Sequence, residues 1–440
     1  MDELIPKESK TIAAVRAKRL SERLSEARKS IKLKEVWWNT PFIEWVSLLL
    51  IFILNAFMVF PFHDFPAIEN TFSGPVIPLI GKAISRFGVE YLISLQIVNI
   101  FFLTLLPITF YFFVKVVSKR KLIALLSSLI LILPYHPFLK ARVDASVFGI
   151  DAAHIVGLTI IPFALSNLFS FIRSGGYSHL VFAAISSATV ALTTPFGFLT
   201  YLIIAGILAF SEVLLGSGRL KFTRALVVFL FAGGLISFWY NPAFFFWMLT
   251  GPLGEDIRYT ISRVIPLSFF TLPVIGTFGY VLFDRKPTLQ PVFISSFFLI
   301  TFVLISVAGG GIFPSHSSRY VYELGLSVAL IVSLIFVKLV DFGRINQKLN
   351  FKIIPKNVLL NFVTVGFVIF LIVITVTERN SFTLEETQVL GTWDEVEKGD
   401  IWKAKEGFSG AHSFLGYTIT AITCAALVIM RKFTSQKKIA

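Results

Sequence analysis

The sequence predicts an all-α integral membrane protein of about twelve transmembrane helices, with an amphipathic helix on the outer surface in the first external loop. Three observations predict it. The 440 residues are 55% hydrophobic and 15% charged, with a mean hydropathy of +0.78, whereas a soluble domain carries about 25% charged residues. The apolar residues come in runs of about 20, enough to cross a hydrocarbon core of roughly 30 Å at 1.5 Å per residue. Finally, most of the 40 Lys and Arg residues fall in alternate connections between those runs, as the positive-inside rule requires. Lipid admits only helices or a closed barrel, and the ten-residue alternation of barrel strands is absent.

Taken in order, spans are expected at about 41–60, 91–115, 122–139, 152–172, 180–194, 197–215, 225–249, 265–283, 291–310, 319–340, 357–376 and 413–430. The fifth and sixth are short and separated by little more than Thr194-Pro195, so this pair reads either as two spans or as a re-entrant hairpin. Residues 1–40 form a basic amphipathic segment with Ile12, Val15, Leu20, Leu24 and Ile31 at near-helical spacing, suited to an anionic cytoplasmic leaflet. Residues 41–340 make the core bundle. Residues 341–440 add two more spans around an acidic external loop containing Trp393 and Trp402. Within the first external loop, Val76 to Phe87 places Ile77, Ile80, Ile84 and Phe87 on one face, with Lys82 and Arg86 on the other.

The basic connections include the N-terminal 40 residues and the segments around Lys115–Lys121, Arg219–Arg224, Lys338–Lys356 and Arg431–Lys438. An even number of spans follows, with both termini in the cytoplasm and the plasma membrane as the location. The net charge of +14 is therefore a topology signal and not a nucleic-acid footprint. One cysteine, Cys424, excludes a disulfide framework and a Cys-based metal site. The first span follows some 40 polar residues without a small-residue cleavage site and reads as an anchor. The chain has no phosphate-cradling Gly-Lys-Ser/Thr loop, no dinucleotide fingerprint and no His-Glu-x-x-His. ATP-driven cytosolic chemistry is not expected, and a reaction would run at the outer face on a substrate activated beforehand.

Charged residues near a membrane are costly and mark function. His63-Asp64 follows the first span between Pro61 and Pro66. There Asp64 reads as a general base, as a metal ligand beside His63, or as a solvated carboxylate ending a helix. Asp151 and His154 share a helix face at i, i+3. They read either as two ligands of one divalent cation, Mg or Mn, or as a helix N-terminal charge beside a polar residue. Lys140, Arg142 and Asp144 charge the same loop. Late in the core, Ser315-His316-Ser317-Ser318-Arg319 precedes a span that carries Glu323. Arg319 is either the ion-pair partner of Glu323 or a bidentate clamp for a phosphate.

This arrangement resembles that of the GT-C glycosyltransferases, multi-span enzymes that transfer sugars from polyprenyl-phosphate carriers at the outer face. The resemblance rests on an acid directly after the first span (Asp64), the amphipathic helix Val76–Phe87, an acid at the head of the fourth span (Asp151, or Asp144), the hairpin broken at Thr194-Pro195, and the outer Pro314…Arg319-Tyr320. It implies that Asp64 is the catalytic base or a metal ligand, that Asp151 is the second acid, and that Arg319 holds the lipid phosphate. Arg142, His316 and Lys140 would assist it. The first loop departs from the family pattern in lacking an adjacent acid pair, and Trp393-Asp394 is not equated with the family's tryptophan motif. The expected partners are a lipid-linked substrate and membrane lipids, with no nucleic acid.

Two other classes fit the same residues. A secondary transporter or lipid flippase would use helices broken at Thr194-Pro195 and Asn241-Pro242. A non-enzymatic assembly subunit would dock partners through its acidic last loop and basic N-terminus.

Overall fold

A computed structural model describes residues 41–63, 74–148, 152–215, 219–250, 289–312, 320–345, 356–381 and 410–436. The chain divides into two compact units, Met1–Leu50 and Ile51–Ala440. In the first, the described residues 41–50 are helical and begin α1 (Pro41–Val59). The basic segment 1–40, the span expected at 265–283 and the acidic loop residues 382–409 lie outside the described residues.

Among its described residues the second unit is helical. After α1 come α2 (Val76–Ser85), α3 (Tyr91–Ser118), α4 (Lys121–Leu131), α5 (Leu139–Val143) and a π-type turn at Asp144–Phe148. Then follow α6 (Ala152–Ser174), α7 (Tyr177–Thr193), α8 (Pro195–Leu215), α9 (Arg219–Ile236) and α10 (Pro242–Thr250). The last four are α11 (Gln290–Ile312), α12 (Val321–Ile345), α13 (Lys356–Thr377) and α14 (Gly410–Gln436). Among the described residues seven helices are long and apolar enough to cross a membrane, and α2, α4, α7 and part of α11 are shorter apolar helices.

Helix α6 is the centre of the bundle, packed against α3, α7 and α8. Of its span 78% is buried, against 17% for α13 and for α14. The outward side chains of α13, including Phe362 and Phe370, are apolar and exposed, which requires lipid around them.

Prolines within spans are compensated by neighbouring helices. Pro107 has no N–H to give the carbonyl of Leu103 one turn earlier. The fully buried Asn55 supplies the donor instead, its Nδ2 lying 3.0 Å from the Leu103 oxygen and 3.0 Å from that of Thr104. Ser128 of α4 donates to the Pro107 carbonyl at 2.8 Å. In hydrocarbon such donors are the alternative to a bare carbonyl.

Three expectations are refined. The third span does not run to residue 139; α4 ends at Leu131, and a turn at Leu133–Phe138 leads into the short α5. The seventh is two helices, because Pro242 opens α10 and Asn241 Oδ1 caps it by accepting the Phe244 N–H at 2.9 Å. The fifth and sixth are two separate helices, α7 and α8, joined at Thr194. Tyr177, at the start of α7, donates to Leu427 O of α14 at 2.9 Å, and Thr193, at its other end, accepts from the Gly74 N–H at 2.7 Å. Helix α7 is thus tied at its two ends to different elements before Thr194 leads the chain into α8.

A helix is present there as α2, over Val76–Ser85, but its faces divide differently from the expectation. Ile77 is buried against Leu95, Val98, Ala153 and Val156, with Ile84 packed beside them. Ile80 and Phe87 face outward with Leu79, as do Lys82 and Arg86. The helix lies over the N-terminal ends of α3 and α6, with apolar residues on both its inner and outer sides.

Candidate functional site

Polar side chains gather where α6, α8 and α12 begin. Gly157 and Gly197 let α6 and α8 approach closely, since a Cβ on Gly197 would stand 2.9 Å from Thr194 Cγ2 and 3.7 Å from the Gly157 Cα. That crossing carries Thr200 to the first turns of α6 and α12. Glu323 Oε1 accepts from Thr200 Oγ1 at 3.0 Å and lies 2.7 Å from His154 Nε2. With Glu323 ionised its oxygens can only accept, and the ring Nε2–H is the donor. Both the histidine and the glutamate are 0% exposed in their side chains, and the Tyr320 and Tyr322 rings lie 6.3 and 6.0 Å from the imidazole.

The loop between α4 and α6 completes this end of the bundle. Gly325 of α12 packs on it so closely that a Cβ would come within 2.4 Å of the Pro137 oxygen. Arg142 in α5 is 1% exposed; its Nη2 donates to the Leu131 carbonyl, which the end of α4 leaves without a helical partner. Among the described residues its Nε and Nη1 meet no acceptor, and the buried Ser146 Oγ likewise finds no partner. Burial without a counter-charge pulls the guanidinium down to about 9. Lys140 is half-buried beside it, and His136 Nε2 stands 3.2 Å from Asp144 Oδ2.

His63 sits at the same end. Its Nδ1–H donates to Phe60 O at 2.8 Å and its ring stacks on Phe60 at 4.4 Å. The preceding carbonyl of Phe62 accepts from Gln96 Nε2 near the start of α3 at 3.1 Å. His63, His136, His154 and His412 thus belong to one end of the bundle, and His179 to the other.

Asp64, Asp151, His316 and Arg319 lie outside the described residues. Of the residues singled out from the sequence, the structure pairs His154 with Glu323, buries Arg142 against the end of α4 and leaves Lys140 half-buried in α5. Among the described residues, no three His, Cys, Asp or Glu side chains stand together as a metal donor set, and the Nε2 of His154 is engaged by Glu323. The cation expectation, on Asp64, His63, Asp151 and His154, involves two residues outside the described ones.

Sequence reasoning missed a second polar cluster at the far end of α6. Arg173 donates through Nε to Glu212 Oε1 at 2.9 Å and through Nη2 to Gln290 Oε1 at 2.9 Å. Lys221 pairs with Glu212 Oε2, and Gln290 Nε2 donates to Glu212 Oε1 at 2.7 Å. Glu212 is 3% exposed. The available signal was Ser211-Glu212 inside an apolar run, since a carboxylate there demands a cation.

No family model matches the chain, and no curated protein matches it. Among solved structures it is similar to the crystal structure of ArnT from Cupriavidus metallidurans bound to undecaprenyl phosphate. The identity is 11%, the match covers 89% of this chain and 77% of that one, and the TM-score is 0.38.

Proposed function

We propose that this integral membrane protein transfers a glycosyl group from a polyprenyl-phosphate-linked sugar to an acceptor hydroxyl, at the face of the plasma membrane opposite its cytoplasmic termini. The observation that carries the reading is Arg142, a buried guanidinium whose Nε and Nη1 have no acceptor among the described residues. A desolvated cation with two open donors suits the oxyanion of a phosphate leaving group, because its attraction to developing charge is strongest where water is excluded.

In this reading the acceptor oxygen attacks the anomeric carbon and the bond from that carbon to the phosphate oxygen breaks. The electron pair leaves with the polyprenyl phosphate, held by Arg142 with Arg319, His316 and Lys140. The acceptor proton passes to Asp64. A divalent cation shared by Asp64 and Asp151 is part of the family resemblance, and no step above depends on it.

The test is transfer from a polyprenyl-phosphate sugar in membrane vesicles. Arg142→Met keeps the length and removes the charge, and the rate should fall roughly 100- to 1000-fold, as for loss of one transition-state donor. Asp64→Asn should abolish transfer with insertion intact. Full activity in either variant refutes the role assigned to that residue.

A second reading is favoured by one observation. The fully buried His154–Glu323 pair and the Arg173–Glu212 cluster lie at opposite ends of α6, about 28 Å apart at 1.5 Å per residue. Buried ionisable groups within spans also serve proton-coupled transporters, with His154 and Glu323 the pair able to carry a proton here, and substrate-linked flux in proteoliposomes is the activity that would support that class.

A further inference from the structure

The end of the bundle opposite His154 contains a cavity of about 330 Å³ that the proposed reaction does not use. It opens between the C-terminal ends of α3, α6 and α12 and the starts of α4 and α11. Four cations line it, namely Lys119, Arg120, Arg173 and Lys338, and no carboxylate does. Two of the four are already neutralised, Arg173 by Glu212 and Arg120 by Asp341. Lys119 and Lys338 are exposed and form no ion pair with a described residue. Lys119 holds a left-handed conformation, φ +56°, as the residue ending α3. There its N–H donates to the Lys115 carbonyl at 2.9 Å, and the backbone fixes where its ammonium begins.

The rest of the lining is apolar, with Val117, Ile123, Pro291, Val292 and Leu334. Along α12 the wall continues into Ile335, Leu339 and Phe342, all exposed apolar side chains. A cationic mouth beside an apolar wall matches an amphiphilic anion. The volume falls at the small end of ligand pockets, about 300–1,000 Å³, and suits a headgroup better than a whole lipid.

We infer that this cavity is a binding site for a phosphate-bearing anion, held by Lys119 and Lys338 with Arg120 beside them. Its position, at the end where the basic connections predict the cytoplasm, matches that of anionic phospholipid headgroups, and its continuity with the exposed apolar face of α12 gives the acyl chains a path. The site is separate from the glycosyl-transfer reading and stands or falls without it.

The test uses the purified full chain in detergent, with thermal melting and native mass spectrometry as readouts. Phosphatidylglycerol, phosphatidylcholine and inorganic phosphate are added separately. Retention of phosphatidylglycerol and a raised melting temperature, with neither from phosphatidylcholine, identify a lipid headgroup. Stabilisation by inorganic phosphate alone keeps the phosphate site but assigns it a soluble ligand. Lys119→Gln with Lys338→Gln should weaken whichever ligand binds by at least about tenfold, whereas Lys82→Gln with Arg86→Gln on α2 should leave it unchanged. Equal response to phosphatidylcholine and phosphatidylglycerol, no response to any additive, or full binding in the Lys119/Lys338 variant would overturn the site.

Discussion

At the scale of single residues, the chemistry of this protein depends on which buried polar atoms have partners. His154 and Glu323 are 169 positions apart in sequence, and spacing offered nearer neighbours only as alternatives, Asp151 beside the histidine and Arg319 beside the glutamate. Sequence spacing sees only neighbours on one helix face; the contact between α6 and α12 is invisible to it. The pair makes a prediction. Glu323→Ala strips both His154 and Thr200 of an acceptor at a site with no water to replace it, and stability should drop by about 3–5 kcal/mol. Glu323→Gln keeps an oxygen for both donors and should cost about 1–2 kcal/mol. Denaturation in detergent distinguishes them, and an alanine variant as stable as the parent would show that the pair bears no structural weight. The same glutamine variant separates the functional readings, because loss of its ionisable proton should end proton-coupled flux while leaving sugar transfer measurable.

At the scale of elements, close approaches and broken helices set the geometry. Gly325→Ala would drive a methyl into the Pro137 carbonyl, and relief requires α12 to move away from the loop that holds His136, Arg142 and Asp144. Such overpacking costs about 1–3 kcal/mol. The melting temperature should therefore fall, with any transferase activity falling further because the loop shifts with it; a Gly325→Ala variant as active as the parent would show that α12 does not position that loop. Much at this scale was legible. The long runs become α1, α3, α6, α12, α13 and α14 with small changes at their ends, since burial in lipid demands that length. The third and seventh spans were not legible as drawn, because uniform hydropathy masks where a chain turns. Pro242 with Asn241 marked one break, and Pro134 with Pro137 marked the other, since a residue before proline is pushed out of the α region.

At the scale of the whole molecule, the two ends of the second unit differ in kind. One holds His63, His136, His154, Arg142 and Glu323; the other holds Arg173, Glu212, Lys119 and Lys338. With Cys424 changed to Ser, single cysteines at positions 63 and 136 should react with an impermeant maleimide from outside intact cells. Those at 119 and 338 should react only after permeabilisation. Reaction of positions 63 and 136 from opposite sides of the membrane would remove the shared external face on which the transferase reading depends.

The sequence by itself determined the solvent and the class of structure. Apolar runs of fixed length and alternating basic connections follow from hydrocarbon thickness and from charge, and both are written residue by residue. Only the tertiary structure decided the partners: Glu323 for His154, Glu212 for Arg173, and none among the described residues for two nitrogens of Arg142. In a membrane every helix is apolar toward lipid, so hydropathy is the same signal for all of them. Which polar residues meet across the bundle is set by small-residue crossings such as Gly157 on Gly197, and those contacts exist only once the helices are packed.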